Sequence, residues 1–121
     1  MEISVVNIEE KFGKISELHK YKAIARMNGC LFKLVKMRRE FVWHSHEETD
    51  EVFIVFSGEL KIQLRDKTLE LRAGDMVSIP KGVEHRPSAE KECRIMLIEP
   101  EGTVNTGGAG GALRDDDVEW I

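Results

Sequence analysis

Four residues of this chain have the types and spacing for metal chemistry: His44, His46, Glu51 and His85. Three imidazoles and one carboxylate suit a borderline divalent cation such as iron, manganese, nickel, cobalt or zinc. On a six-coordinate ion they leave two positions for water, oxygen or substrate. A structural zinc site, by contrast, is closed, tetrahedral and often rich in cysteine. The surrounding spacing is equally specific. His44-Ser45-His46 is followed after four residues by Glu51 and after six more by Gly58. Gly74 is followed after five residues by Pro80-Lys81-Gly82 and after two more by His85. Glycine and proline at these positions make tight turns that re-aim the backbone.

Side chains two apart on a strand share a face, so His44 and His46 can point the same way. Glu51 lies an odd step beyond His46, and a straight strand would send it to the other side. The polar stretch Glu47-Glu48-Thr49-Asp50 can restore the direction through a turn or bulge. Asp50 is the rival carboxylate, but it shares parity with Val52 and Ile54. Glu51 shares a face with Phe53 and Val55, which are expected to line an apolar cavity. Trp43 should face away from His44, in core or interface packing. Arg86 reads as a surface arginine, and His19 has no companion at ligand spacing.

The two motifs resemble those of the cupin superfamily, small double-stranded β-barrels with a metal in the barrel mouth. The first, G-x5-H-x-H-x3–4-E-x6-G, matches from His44 to Gly58, with Arg38 in place of the leading glycine. The second, G-x5-P-x-G-x2-H-x3-N, matches from Gly74 to His85, with Ala89 in place of the final asparagine. The 15 residues between the motifs, Glu59 to Ala73, are typical of short microbial single-domain cupins. The resemblance implies that His44, His46, Glu51 and His85 are the metal ligands. Over nearly the whole chain, including Glu99-Pro100-Glu101-Gly102 and the stretch to Gly107, the sequence is similar to small cupins of the mannose-6-phosphate-isomerase-like type.

The elements that must position these residues are short. Asn7 can cap a helix with Glu10 at the reciprocal capping position, and Ile8, Phe12, Ile15 and Leu18 recur at helical spacing, although Gly13 weakens it. Strand patterns follow at Tyr21–Met27 and Cys30–Met37, joined by the hairpin signal Asn28-Gly29. Further strands are expected at Glu40–His46, Glu51–Phe56, Glu59–Arg65, Thr68–Arg72 and Met76–Ile79. Another should begin at His85, and Glu92–Ile98 closes the set. Lys61, Gln63 and Arg65 alternate with Leu60, Ile62 and Leu64, a half-buried pattern. Many short strands between turn signals predict an all-β sandwich or barrel. The resemblance makes it a double-stranded β-helix, the jelly-roll of cupins, with a short N-terminal helix. The expected division is a helical lead-in (1–20), the barrel (21–100) and a glycine-rich arm (101–121) packing on the barrel or a partner subunit. In that arm Asp115-Asp116-Asp117 reads as a solvated acidic turn.

Composition narrows the function classes. The 121 residues fit one domain, and a net charge of −4 argues against a general nucleic-acid binder. No apolar run is long enough to span a membrane. The start Met1-Glu2-Ile3-Ser4 lacks signal-peptide character, so a cytoplasmic location is expected. Cys30 and Cys93 read as reduced, buried thiols. Two apolar faces on one strand, Leu31, Val35 and Met37 against Cys30, Phe32 and Leu34, suggest a homodimer. The leading functional expectation is a metal-dependent enzyme on a small molecule, of dioxygenase or isomerase type. The alternatives are a ligand-binding sensor and an oligomer with a structural metal.

Overall fold

A computed structural model describes residues 2–115 and 118–121, and among them one short helix and eight strands. Helix α1 (Ile8–Gly13) starts where the Glu10 backbone N–H donates to Asn7 Oδ1 at 2.9 Å, the cap that the sequence signals. It stops at Gly13, well short of the expected Leu18, because glycine is a poor helix former. Ile15 still reaches the core from the next turn, but Leu18 is exposed.

The strands are β1 (Lys22–Met27), β2 (Cys30–Glu40), β3 (Glu51–Ser57), β4 (Glu59–Gln63), β5 (Thr68–Arg72), β6 (Met76–Ile79), β7 (Arg86–Pro100) and β8 (Glu119–Trp120). Asn28 and Gly29, at φ of 48° and 78°, make the tight β1–β2 turn that their residue types require. The sheet runs β5-β4-β7-β2-β1-β8, and β3 joins it by pairing with β7 and β6. Strand β7 is the hub. It pairs with β2 along most of its length, with β4 near its start and with β3 near its end.

Two strand expectations need correction. Residues 41–50 form no regular strand, although Glu40–His46 was expected to be one. The β2–β7 register slips between Met37 and Arg39, Arg39 adopts φ of 68°, and the ladder ends at Glu40. The stretch before Glu92 is not a separate strand either. Ser88 and Ala89 pair with Glu40 and Arg39, so β7 continues from Arg86 to Pro100.

The main core gathers Val35, Met37, Phe53, Val55, Leu60, Ile62, Ile95 and Leu97, and the fully buried Leu60 and Ile62 confirm the β4 alternation. Gly58 is required at its turn: its φ is 84°, and a Cβ there would lie 2.9 Å from Cys93 Cβ. A second core holds Phe12, Ile15, Ile24, Leu34 and Met96. The second apolar face of β2 is thus covered at Leu34 by the chain's own α1 region. Cys30 is half-buried, and only Cys93 is fully enclosed; both are free thiols.

After β7 the chain folds back on the barrel. Asn105 Nδ2 donates to Leu113 O at 2.8 Å, the Asp115 N–H donates to Asn105 Oδ1 at 2.8 Å, and the Tyr21 N–H donates to Asp115 Oδ2 at 3.0 Å. Asp115 is therefore a buried acceptor, because its position faces the start of β1, and not part of a solvated turn. Asp116 and Asp117, the rest of that expected turn, lie outside the described residues. Strand β8 then pairs in parallel with β1. Gly107, at φ of 57°, packs so closely that a Cβ would fall 2.2 Å from the carbonyl oxygen of Ser45. The arm lies directly on the loop that carries two of the histidines.

Candidate metal centre

The segment from Phe41 to His46 is held against residues 82–87 by separate backbone bonds. The Phe41 N–H donates to Pro87 O at 2.8 Å, and the Gly82 N–H donates to His46 O at 2.8 Å. Between them His44 and His85 exchange two bonds, 3.0 and 2.9 Å long, forming an isolated bridge. This bridge replaces the expected strand, and it brings the rings of His44 and His85 to 4.3 Å between centroids. Glu51 opens β3, where it pairs with Ile79 just before the Pro80-Lys81-Gly82 turn. The bends at Glu47–Glu48 absorb the odd step from His46. Asp50, the rival carboxylate, is exposed and accepts from the Lys81 N–H at 2.9 Å, which stabilises that turn.

The four residues selected from sequence come together. One donor atom from each of His44, His46, Glu51 and His85 lies within 4.8 Å of all the others, and all four residues are buried. Glu51 Oε1 is 3.0 Å from His85 Nε2, and Glu51 Oε2 is 3.5 Å from His46 Nε2. Ligands at right angles on bonds of about 2.1 Å stand about 3 Å apart, so these separations fit a shared cation.

The tautomers point the same way. His44 Nδ1 lies 2.9 Å from Val42 O, and His85 Nδ1 lies 3.0 Å from Val83 O. A carbonyl only accepts, so both Nδ1 atoms carry the proton and both Nε2 atoms turn inward. Burial, with the neighbouring His85 adding to it, lowers the His44 pKa to about 4, so its Nε2 holds a lone pair at neutral pH. His85 Nε2 and Glu51 Oε1 stand 3.0 Å apart, so both can reach one cation. His46 Nε2 is buried without a hydrogen-bond partner. Burial alone would raise the Glu51 carboxyl, but the adjacent His46 and His85 rings and the Glu99 side chain outweigh it and hold Glu51 well below the usual range. The donor set fits a divalent transition metal.

Phe53 sets its ring edge-on to His85 at 5.9 Å, and Phe41 does the same to His44 at 5.4 Å. The surroundings of the cluster are thus apolar on these sides. Trp43 is not core packing. It is half-buried with the Arg65 guanidinium 3.8 Å above its ring and Arg86 at 5.5 Å, because its place beside His44 sends it outward. Arg86 is tied to Gln63 at 2.7 Å and is partly exposed. His19 stands apart from the cluster, with Nε2 at 2.9 Å from Arg38 O and its ring stacked on Phe41. A broad recess of about 1050 Å³ lies elsewhere, lined by Arg39, Glu59, Glu70 and Lys91 among others, and contains none of the four residues. Its mixed charges and open shape give it no comparable chemistry.

Sequence reasoning missed a buried ion pair beside the cluster. Lys33 Nζ donates to Glu99 Oε1 at 2.8 Å, and both residues are 1% exposed. Burial and the adjacent Glu51 raise the Glu99 carboxyl well above the usual range, against the pull of Lys33. Tyr21 is enclosed nearby; burial, with Glu51 and Glu99 adding to it, pushes its phenol far above the usual range. A signal was present: Lys33 has the parity of Leu31, Val35 and Met37, and Glu99 that of Ile95 and Leu97, so both charges sit on core faces.

The family model for the cupin domain matches residues 31–99. A cupin-2 domain protein from Shewanella frigidimarina, known from its crystal structure, is 52% identical, with a TM-score of 0.79 over 80% of this chain and 95% of that one. The crystal structure of a Neisseria meningitidis protein is 31% identical, with a TM-score of 0.73 over 81% of this chain and all of that one. An uncharacterized Bacillus subtilis protein is 40% identical over 74 residues, 60% of this chain and 66% of its own length. These matches support the jelly-roll architecture.

Proposed function

The chain belongs to the cupin domain family, and from that premise we propose that it is a metal-dependent enzyme acting on a small molecule. Its metal ligands in this reading are His44, His46, Glu51 and His85. The observation that carries the proposal is the convergence of their donor atoms within 4.8 Å in a buried setting. A bound divalent metal supplies Lewis acidity and, where it is iron or manganese, redox chemistry.

The protein's own residues define what such a centre can do. Val42 and Val83 carbonyls fix the His44 and His85 tautomers, which keeps both Nε2 atoms available. Phe41 and Phe53 exclude water from the sides they cover and strengthen electrostatic effects at the site. Dioxygenase chemistry on an enolate or catechol and isomerisation through a polarised carbonyl are the two reaction types this site suits.

Elemental analysis of untagged protein is the first test, and one equivalent of a first-row metal is expected. Oxygen uptake or isomerisation with small enolates, catechols and sugars should then vanish in His44→Ala and Glu51→Ala. Metal-free protein from every expression condition would overturn the proposal. A structural metal is the second reading, favoured by Gly107 lying on the Ser45 carbonyl. Absence of any exchangeable ligand on the bound metal would select it.

A further inference from the structure

A buried Lys–Glu pair seldom adds stability over apolar residues of the same shape, because desolvating both charges offsets their attraction. Lys33 and Glu99 are such a pair, and each is only 1% exposed. Their position suggests a task. Glu99 Oε1 accepts from Lys33 Nζ at 2.8 Å, while Glu99 Oε2 is buried with no donor. Val52 and Ile98 are partners in the β3–β7 ladder, so the residues beside them, Glu51 and Glu99, are fixed close together. On β2, Leu31 is the partner of Glu99, and Lys33 lies two residues further on the same face.

We infer that Lys33 and Glu99 are positioning residues that hold the Glu51 carboxylate in register with His44, His46 and His85 and so set the affinity of the centre for its divalent cation. This rests on the metal-centre reading proposed above. Lys33 anchors Glu99, and Glu99 restricts the rotation of Glu51. Groups behind metal ligands commonly govern affinity in this way, by about 10- to 100-fold.

The test uses cobalt(II) alone as probe, with wild type, Glu99→Gln and the double variant Lys33→Met/Glu99→Leu. Glutamine can accept from Lys33 through its oxygen and offer its amide N–H to the Glu51 side, so Glu99→Gln should bind within about fivefold of wild type. The double variant leaves no unpaired buried charge, and its melting temperature should equal or exceed that of wild type. Its cobalt affinity should nevertheless fall about 10- to 100-fold. Its visible cobalt spectrum should also change, which a purely structural pair would not cause. Affinity of the double variant within threefold of wild type, with an unaltered spectrum, overturns the inference and leaves the metal centre standing. Wild type that takes up no cobalt removes both.

Discussion

Acid should destabilise the metal-free protein through one ring in particular, that of His44. Its side chain is buried and its Nδ1–H is already given to the Val42 carbonyl. Burial lowers its pKa from 6.5 to about 4. In the unfolded chain the ring takes a proton near pH 6.5, whereas the folded chain refuses it until about pH 4. Between those values the unfolded state binds more protons. The stabilising contribution is therefore complete above about pH 6.5 and is lost as pH falls through about 4. A tenfold change in proton affinity is worth about 1.4 kcal/mol, so the full loss is about 3 kcal/mol. Urea unfolding of chelator-treated protein, followed by circular dichroism at pH 7.5 and pH 4, measures it against His44→Gln. The variant carries no proton-binding ring at that position. Relative to wild type it should gain about 3 kcal/mol between the two pH values. Parallel pH profiles, within about 0.5 kcal/mol, would refute the reasoning.

Three other outcomes are expected. In Gly107→Ala the new Cβ would meet the Ser45 carbonyl at 2.2 Å, on a residue at φ of 57°. Strain at positive φ alone costs about 1–2 kcal/mol, so denaturant unfolding should register at least that loss. Hydrogen exchange at the Ser45 and His46 amides should also rise. The Cys93 thiol is pushed up to about 12 by burial, so the unfolded chain ionises first and stability falls with rising pH above about 9. Its slope is at most about 1.4 kcal/mol per pH unit, and Cys93→Ala should remove it between about pH 9 and 10, below the range where Tyr21 adds its own. Finally, the homodimer expected from the two apolar faces of β2 is a matter for hydrodynamics, and the exposed Ile3 and Val5 ahead of α1 are further apolar groups it could cover. Sedimentation at micromolar concentration should give twice the chain mass, and monomer only would remove that proposal.

The site was legible because its chemistry is written in residue types that have few other uses in such a pattern. Histidines two apart, a carboxylate and a third histidine after Pro-x-Gly needed only the turns to bring them together. Those turns are marked by glycines whose positive φ the structure displays. The Asn28-Gly29 hairpin and the limits of β5 and β6 were legible for the same reason. What failed was context. Glu40–His46 has a strand-like pattern, but an irregular β2 end and the crossing segment from Gly82 dictate its path. Lys33 and Glu99 have core-face parity, but nothing local identifies the partner that lets each charge be buried, and Asp115 carries no periodic signal at all. Those partners lie 66 or 94 residues away, and periodicity does not reveal the pairing.

Strand β7 acts as a ruler. His85, at its threshold, and Glu99, near its far end, are fourteen residues apart, a span of about 46 Å if the backbone ran straight. Yet both lie beside Glu51, one through its ring and the other through the β3–β7 ladder, so the strand must curl around the barrel and return. A single residue inserted midway would turn Glu99 outward and exchange the inner and outer faces of everything after it. The length of that curl is therefore fixed by two contacts at once, one at each end, and neither can shift alone.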